Sequence, residues 1–240
     1  MISIVGIIGT FPIVILFGIC FGLILSSYIK NPNRTKTYFM LWSLSSALIY
    51  LNWGLRVILI SQDETDKAVI YPFFALSYAF GAFALITLAF ASLDLTEMKN
   101  STLSKIIRII IVVTCASVFL ILLIGGYEQK LIVFMDVTDL TIEDPFVYYY
   151  FTGLIVFYIF FPNAINIKFL IKSTEKDTFT YKRIRIIEIG ILIWSICILL
   201  DGMRFRSNIG ILIIRISFVI GGLITMKGFL MKPPQTKINK

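Results

Sequence analysis

Four polar residues set in otherwise apolar sequence carry most of the chemistry this chain can offer: Asn52, Arg56, Asp201 and Arg215. In Tyr50-Leu51-Asn52-Trp53-Gly54-Leu55-Arg56, the spacing of four puts Asn52 and Arg56 on one face of a helix. Asp201 closes a long apolar run, and Arg215 follows a second run's start by about 11 Å at 1.5 Å per helical residue. A guanidinium stays charged and presents paired donors to a carboxylate or phosphate. Arg56 and Arg215 are therefore candidate binders of an anionic group, with Asp201 balancing charge and Asn52 adding hydrogen bonds. The competing arrangement is an Asp201 to Arg215 ion pair between two helices, with Arg56 reaching toward water.

Other chemistries find no residues here. The chain has no histidine, which removes histidine-based general base catalysis and histidine-ligated zinc or haem. Cys20, Cys115 and Cys197 fall in three separate apolar runs with no metal-ligand or disulfide spacing, and read as small packing residues. No glycine-rich phosphate loop or paired carboxylate motif is present. The expectation is a non-enzymatic protein without cofactor or metal.

The elements that must position these residues are seven apolar stretches, at about 2–28, 37–61, 68–93, 104–126, 146–171, 184–203 and 208–231. Each is long enough to cross a hydrocarbon core about 30 Å thick as a helix, and none shows strand alternation. With 58% hydrophobic and 15% charged residues in 240 positions, and a mean hydropathy of +0.90, the chain lacks the polar surface of a water-soluble globule. The predicted fold is all-α: one domain over 1–240, a polytopic bundle of seven transmembrane helices.

Lysine and arginine placement orients the bundle. With the N-terminus outside, 16 of the 22 basic residues fall on the cytoplasmic side, among them Lys30, Arg34, Lys105, Arg108, Lys172, Lys182 and Arg185. The opposite loops collect Asp63, Glu64, Asp66, Glu128, Asp136, Asp139, Glu143 and Asp144. The positive-inside rule then gives N-terminus out and C-terminus in, in the cell membrane. The net charge of +8 reflects anchoring beside anionic lipid rather than nucleic-acid binding. No basic residue precedes Lys30, so the first run reads as a span and not as a signal peptide.

Secondary positions have simpler readings. Pro162, Asn163 and Asn166 form a candidate hinge or an ordinary proline kink. Glu188 sits one turn past Lys182, Arg183 and Arg185, and is expected to make a surface ion pair. Tyr148, Tyr149 and Tyr150 fit an aromatic belt. The segment 130–145 is expected to form a short strand pair or lid. Short matches between 54–87 and 202–225 hint at a duplicated three-helix unit, but their unequal offsets require gaps.

In topology alone, the course and short loops are similar to microbial rhodopsins. The retinal-linked lysine of that family is missing, since the middle of the seventh run reads Ile214-Arg215-Ile216-Ser217-Phe218-Val219-Ile220-Gly221. The layout also resembles seven-helix sensor modules of histidine kinases, without an effector domain, and SWEET and PQ-loop transporters, without a Pro-Gln pair. No diagnostic motif assigns a family. The expected function is a receptor or sensor that binds a small anionic or apolar ligand in its outer half and signals to a cytoplasmic partner. A small-solute transporter and a membrane scaffold subunit are the alternatives.

Overall fold

The computed structural model describes residues 3–95, 101–174, 176–202 and 208–231. Six of the 22 basic residues counted above, Lys99, Arg204, Arg206, Lys232, Lys237 and Lys240, and the side chain of Pro162 lie outside the described residues. Within them the chain forms seven helices: α1 (Ile4–Lys30), α2 (Arg34–Leu59), α3 (Lys67–Asp94), α4 (Thr102–Ile124), α5 (Pro145–Lys172), α6 (Phe179–Gly202) and α7 (Asn208–Leu230). A hairpin of β1 (Gln129–Phe134) and β2 (Val137–Ile142) interrupts them between α4 and α5.

Local sequence sets these boundaries. Ser3, Asn33, Asp66, Ser101 and Asp144 each accept a backbone N–H of the turn that follows, which satisfies donors that a helix start leaves unpaired. Pro145 then occupies the first turn of α5, where its missing N–H is harmless. The strands pair antiparallel from Gln129 with Ile142 to Phe134 with Val137. Their two-residue turn, Met135 and Asp136, has φ of 52° and 61°, the left-handed pair of a tight hairpin. Neither residue is glycine, so tertiary contacts hold this turn. Met135 is buried with its side chain against Gly9, Ser3 Oγ donates to the Met135 carbonyl at 2.7 Å, and Asn208 Nδ2 donates to Asp136 Oδ1 at 3.0 Å.

Among the described residues five helices, α1, α3, α4, α5 and α7, are long and apolar enough to cross a membrane. The fold is that of a helical, multi-pass membrane-type protein. α2 and α6 are comparably long but more polar, with Ser43, Ser45, Ser46, Asn52 and Arg56 in the first and Lys182, Arg183, Arg185, Glu188 and Asp201 in the second. The outward surface inverts the pattern of a soluble protein. Ile4, Ile8, Ile15, Ile19 and Leu23 of α1 are all 45% or more exposed and recur at helical spacing, as an aliphatic stripe facing lipid would.

One end of the bundle gathers basic helix termini and is locked by Asp94. Its buried carboxylate accepts Arg34 Nε at 2.9 Å, Arg34 Nη2 at 2.7 Å and Arg108 Nη2 at 2.6 Å, which joins α2, α3 and α4. Near this end α6 and α7 approach through glycines. A Cβ on Gly190 would collide with the Thr225 hydroxyl and backbone nitrogen, and one on Gly228 would lie 2.9 Å from the Ile187 nitrogen. Small residues permit this backbone approach in the absence of a hydrophobic drive between lipid-bathed helices. Gly190→Val is expected to cost about 3 kcal/mol, the upper end for overpacking because backbone must move. Detergent unfolding of this variant beside Gly18→Val, whose added Cβ meets nothing within 4 Å, provides the check; equal midpoints would refute close packing at Gly190.

Candidate functional site

The hairpin lies across the end of the bundle opposite the basic helix termini, and its docking begins at Arg56. This residue lies in the last turn of α2 and is fully buried. Its Nη2 donates to the Thr138 carbonyl of β2 at 2.6 Å, and its Nη1 to the Ser61 carbonyl at 3.2 Å. Backbone adds a further link, from Thr138 N–H to the Gln62 carbonyl at 2.8 Å. Trp53, three residues before Arg56, donates its indole N–H to Asp139 Oδ2 at 2.9 Å. Three hydrogen bonds thus fasten β2 to the end of α2 and the residues that follow it. Arg56 acts as a clasp on the hairpin.

Asn52, one turn below, is also committed to structure. Its Nδ2 donates to the Phe73 carbonyl at 2.6 Å and to Ser77 Oγ at 2.8 Å, which ties α2 to α3. Ser77 accepts that bond and keeps its own hydroxyl hydrogen for another acceptor. Asp201 and Arg215 meet across α6 and α7, with Nη2 at 3.1 Å from Oδ2 and Nε at 3.2 Å from Oδ1. The Arg215 guanidinium also lies 4.6 Å from the Tyr50 ring centroid and 5.9 Å from those of Trp53 and Phe134, so aromatic faces share its charge. Its Nη1 is buried and has no partner.

These groups border a cavity of about 290 Å³ beneath the hairpin. Asp201 and Arg215 line it; Asn52 and Arg56 stand behind the wall and do not. Sequence reasoning missed most of the lining, which includes Ser77, Tyr78, Phe151, Tyr158 and Phe218; Trp53 and Trp194, which the sequence left open between cavity, lipid and core, also line it. Aromatic side chains at helical spacing look the same whether they face lipid, core or cavity, so no sequence signal separates them. Phe134, Asp139 and Leu140 of the hairpin form the roof.

The floor is closed by interlocked rings. Trp42 meets Phe17 at 5.3 Å and Trp194 at 5.5 Å, and Trp194 meets Phe218 at 5.2 Å, all between centroids. Edge-to-face and tilted aromatic contacts of this kind add to burial energy and resist separation. Trp194 is fully buried.

Below that floor the structure corrects one expectation. Glu188 does not form a surface ion pair with Lys182, Arg183 or Arg185; it is 2% exposed and hydrogen-bonded to Asn166 Nδ2 on α5. The reason is helical phase. Glu188 follows Ile184 by four and precedes Ile191 by three, and both isoleucines are buried, so it shares the inward stripe. Asn166 bridges further to the Ser92 carbonyl at 3.2 Å. The three cysteines are free and buried, and Cys115 lines the cavity from α4.

Among the described residues no cluster of histidine, cysteine and acidic side chains is arranged to hold a metal ion. Compared with known proteins, the chain matches no family model and no curated sequence.

Proposed function

We propose that the chain is a seven-span receptor or sensor of the cell membrane, which holds a small apolar ligand in the cavity under the hairpin. The observation that carries this reading is the cavity itself, ringed by aromatic side chains, roofed by the hairpin and floored by the Trp42, Trp194 and Phe218 cluster. A volume of about 290 Å³ is near the lower end of small-molecule pockets, which are mostly apolar with a few placed polar groups. Charge distribution favours a neutral ligand over an anion. Arg56 is occupied with the hairpin, Arg215 is offset by Asp201, and Asp139 adds a second acid to the wall. Ser77 and Arg215, both in the lining, supply the polar groups that would orient a polar head group.

Topology in this proposal follows the sequence reading: all seven helices cross, with the hairpin end outside and the basic end in the cytoplasm. α2 and α6 fit because their polar side chains turn inward, as the burial of Asn52, Arg56 and Glu188 supports. At 26 and 24 residues, both exceed the span a bilayer core needs. Cytoplasmic signalling would pass through the basic segment joining α5 to α6, since α5, α6 and α7 all touch the cavity. A transporter reading gains support from Glu188, which puts a polar group in the other half of the bundle. The aromatic floor opposes passage between the halves and keeps the sensor reading first.

A brominated aliphatic alcohol is a suitable neutral probe, because its heavy atom quenches Trp53 and Trp194 when it enters. Saturable quenching is expected, and stronger than by the matching brominated carboxylate. Gly81 lines the cavity, and a Cβ there meets nothing within 4 Å, so Gly81→Leu should fill the space without clash and weaken binding at least about tenfold, equal to about 1.4 kcal/mol. Unaltered quenching in Gly81→Leu would sink the cavity as the binding site. Measurable flux of a solute into proteoliposomes would replace the sensor by the transporter.

A further inference from the structure

The basic half of the bundle holds a buried polar group that the cavity does not use. Glu188 on α6 and Asn163 and Asn166 on α5 are each 2% exposed or less. Asn166 donates both amide hydrogens, to the Ser92 carbonyl and to Glu188 Oε1. Asn163 lies three residues before it, on the same helix face. Glu188 Oε2, Asn166 Oδ1 and Asn163 Oδ1 are all buried with no donor. Three buried oxygens that each lack a donor leave this group short of positive charge.

The charges of the surrounding elements do not supply it. On α3, Asp94 is held by Arg34 and Arg108. On α6 itself, Arg183 lies over the Phe229 ring and donates to the Phe229 carbonyl through Nη2; among the described residues its buried Nε has no partner, and no hydrogen bond or ion pair joins it to Glu188. Arg185 is exposed. Lys168 and Lys172 of α5 and Lys227 of α7 are exposed as well, and the Thr225 hydroxyl of α7 donates to Gly221. Asn166 is the one hydrogen-bond partner of Glu188 among the described residues. An ionised carboxylate held by a single amide, away from water, is unfavourable.

We propose that Glu188, Asn166 and Asn163 form a site for one small monovalent cation, either a proton on Glu188 or a sodium ion shared among the three oxygens. A single carboxylate balances a single positive charge. Divalent calcium or magnesium would leave net positive charge buried beside the single carboxylate. The site is independent of whatever occupies the cavity. Because Asn166 joins α3 to α6 through Glu188, cation binding acts on the packing of three helices at once.

Infrared difference spectroscopy of the full chain in lipid nanodiscs, with isotope-labelled glutamate, tests this. Sodium chloride is compared with choline chloride at mildly acidic and mildly alkaline pH. A protonated glutamate band that persists at neutral pH and is lost in Glu188→Gln identifies the proton. A carboxylate band shifted by sodium and not by choline, and unresponsive in Glu188→Gln, identifies sodium. If Glu188→Gln does not fold, Glu188→Asp keeps the carboxyl one methylene shorter and should displace whichever signal is found. A glutamate spectrum that is fully ionised at neutral pH and indifferent to sodium overturns the proposal, and assigns the three oxygens to water alone.

Discussion

Asp201→Ala is expected to destabilise the protein by about 3 kcal/mol, the low end for breaking a buried pair, because the Asp201 side chain retains 19% exposure. The loss comes less from the missing attraction than from what stays behind. Arg215 is 6% exposed and would hold an uncompensated charge among Tyr50, Trp53 and Phe134. Replacing both partners, as in Asp201→Leu with Arg215→Met, removes both charges and should recover most of the loss, since a buried pair exchanged for apolar groups of similar volume is often neutral. A double-mutant cycle on unfolding in detergent measures the coupling between the two. Additive single losses would mean that the charges are hydrated separately, and the picture of a dry ion pair at the cavity wall would fail.

Arg56→Ala has the second large consequence, and it separates clasp from ligand contact. The substitution leaves the Thr138 and Ser61 carbonyls without their charged donor, and hydrogen bonds to charged groups are worth about 1.5–3 kcal/mol each. A total loss of about 3–6 kcal/mol is expected, concentrated in the hairpin. Hydrogen exchange should quicken for the amides of Val137–Ile142 far more than for α1 or α7. The roof would then open, and Cys115 in the cavity wall should react with a thiol reagent at least about tenfold faster, which corresponds to about 1.4 kcal/mol of eased opening. A variant with native hairpin protection and an unchanged Cys115 rate, but no probe binding, would return Arg56 to the role of direct ligand contact.

Much of the helical layout was legible in the sequence because apolar run length is a local property. Each predicted stretch overlaps an observed helix nearly end to end, and the caps at Ser3, Asn33, Asp66, Ser101 and Asp144 explain where five of them begin. The strand pair in 130–145 was one of two readings, strand pair or lid, of a segment that mixes apolar and acidic residues between two long runs. Its place in the bundle was not legible. Met135 and Asp136 adopt left-handed backbone only because α1 and α7 receive them, and no local preference of methionine announces that.

The polar residues divide along the same line. Their scarcity marked Asn52, Arg56, Asp201 and Arg215 as costly and therefore engaged, and the Asp201 to Arg215 pair was one of two arrangements open to them. Which partner each side chain found depended on contacts between residues far apart in the chain. Arg56 to Thr138 spans 82 positions and Asn166 to Ser92 spans 74, distances over which residue type carries no directional information. Glu188 shows the limit most plainly: nearby basic residues pointed to the surface, and the phase of α6 turned it inward.

Hydrophobic run length, read along the chain, determined a helical membrane-type protein, because the exclusion of backbone polar groups from lipid acts on each segment separately. Tertiary structure alone decided that an aromatic-lined cavity lies beneath the hairpin, that Arg56 fastens that hairpin, and that Glu188 meets Asn166 in the interior, because those outcomes depend on how packed helices are rotated against one another.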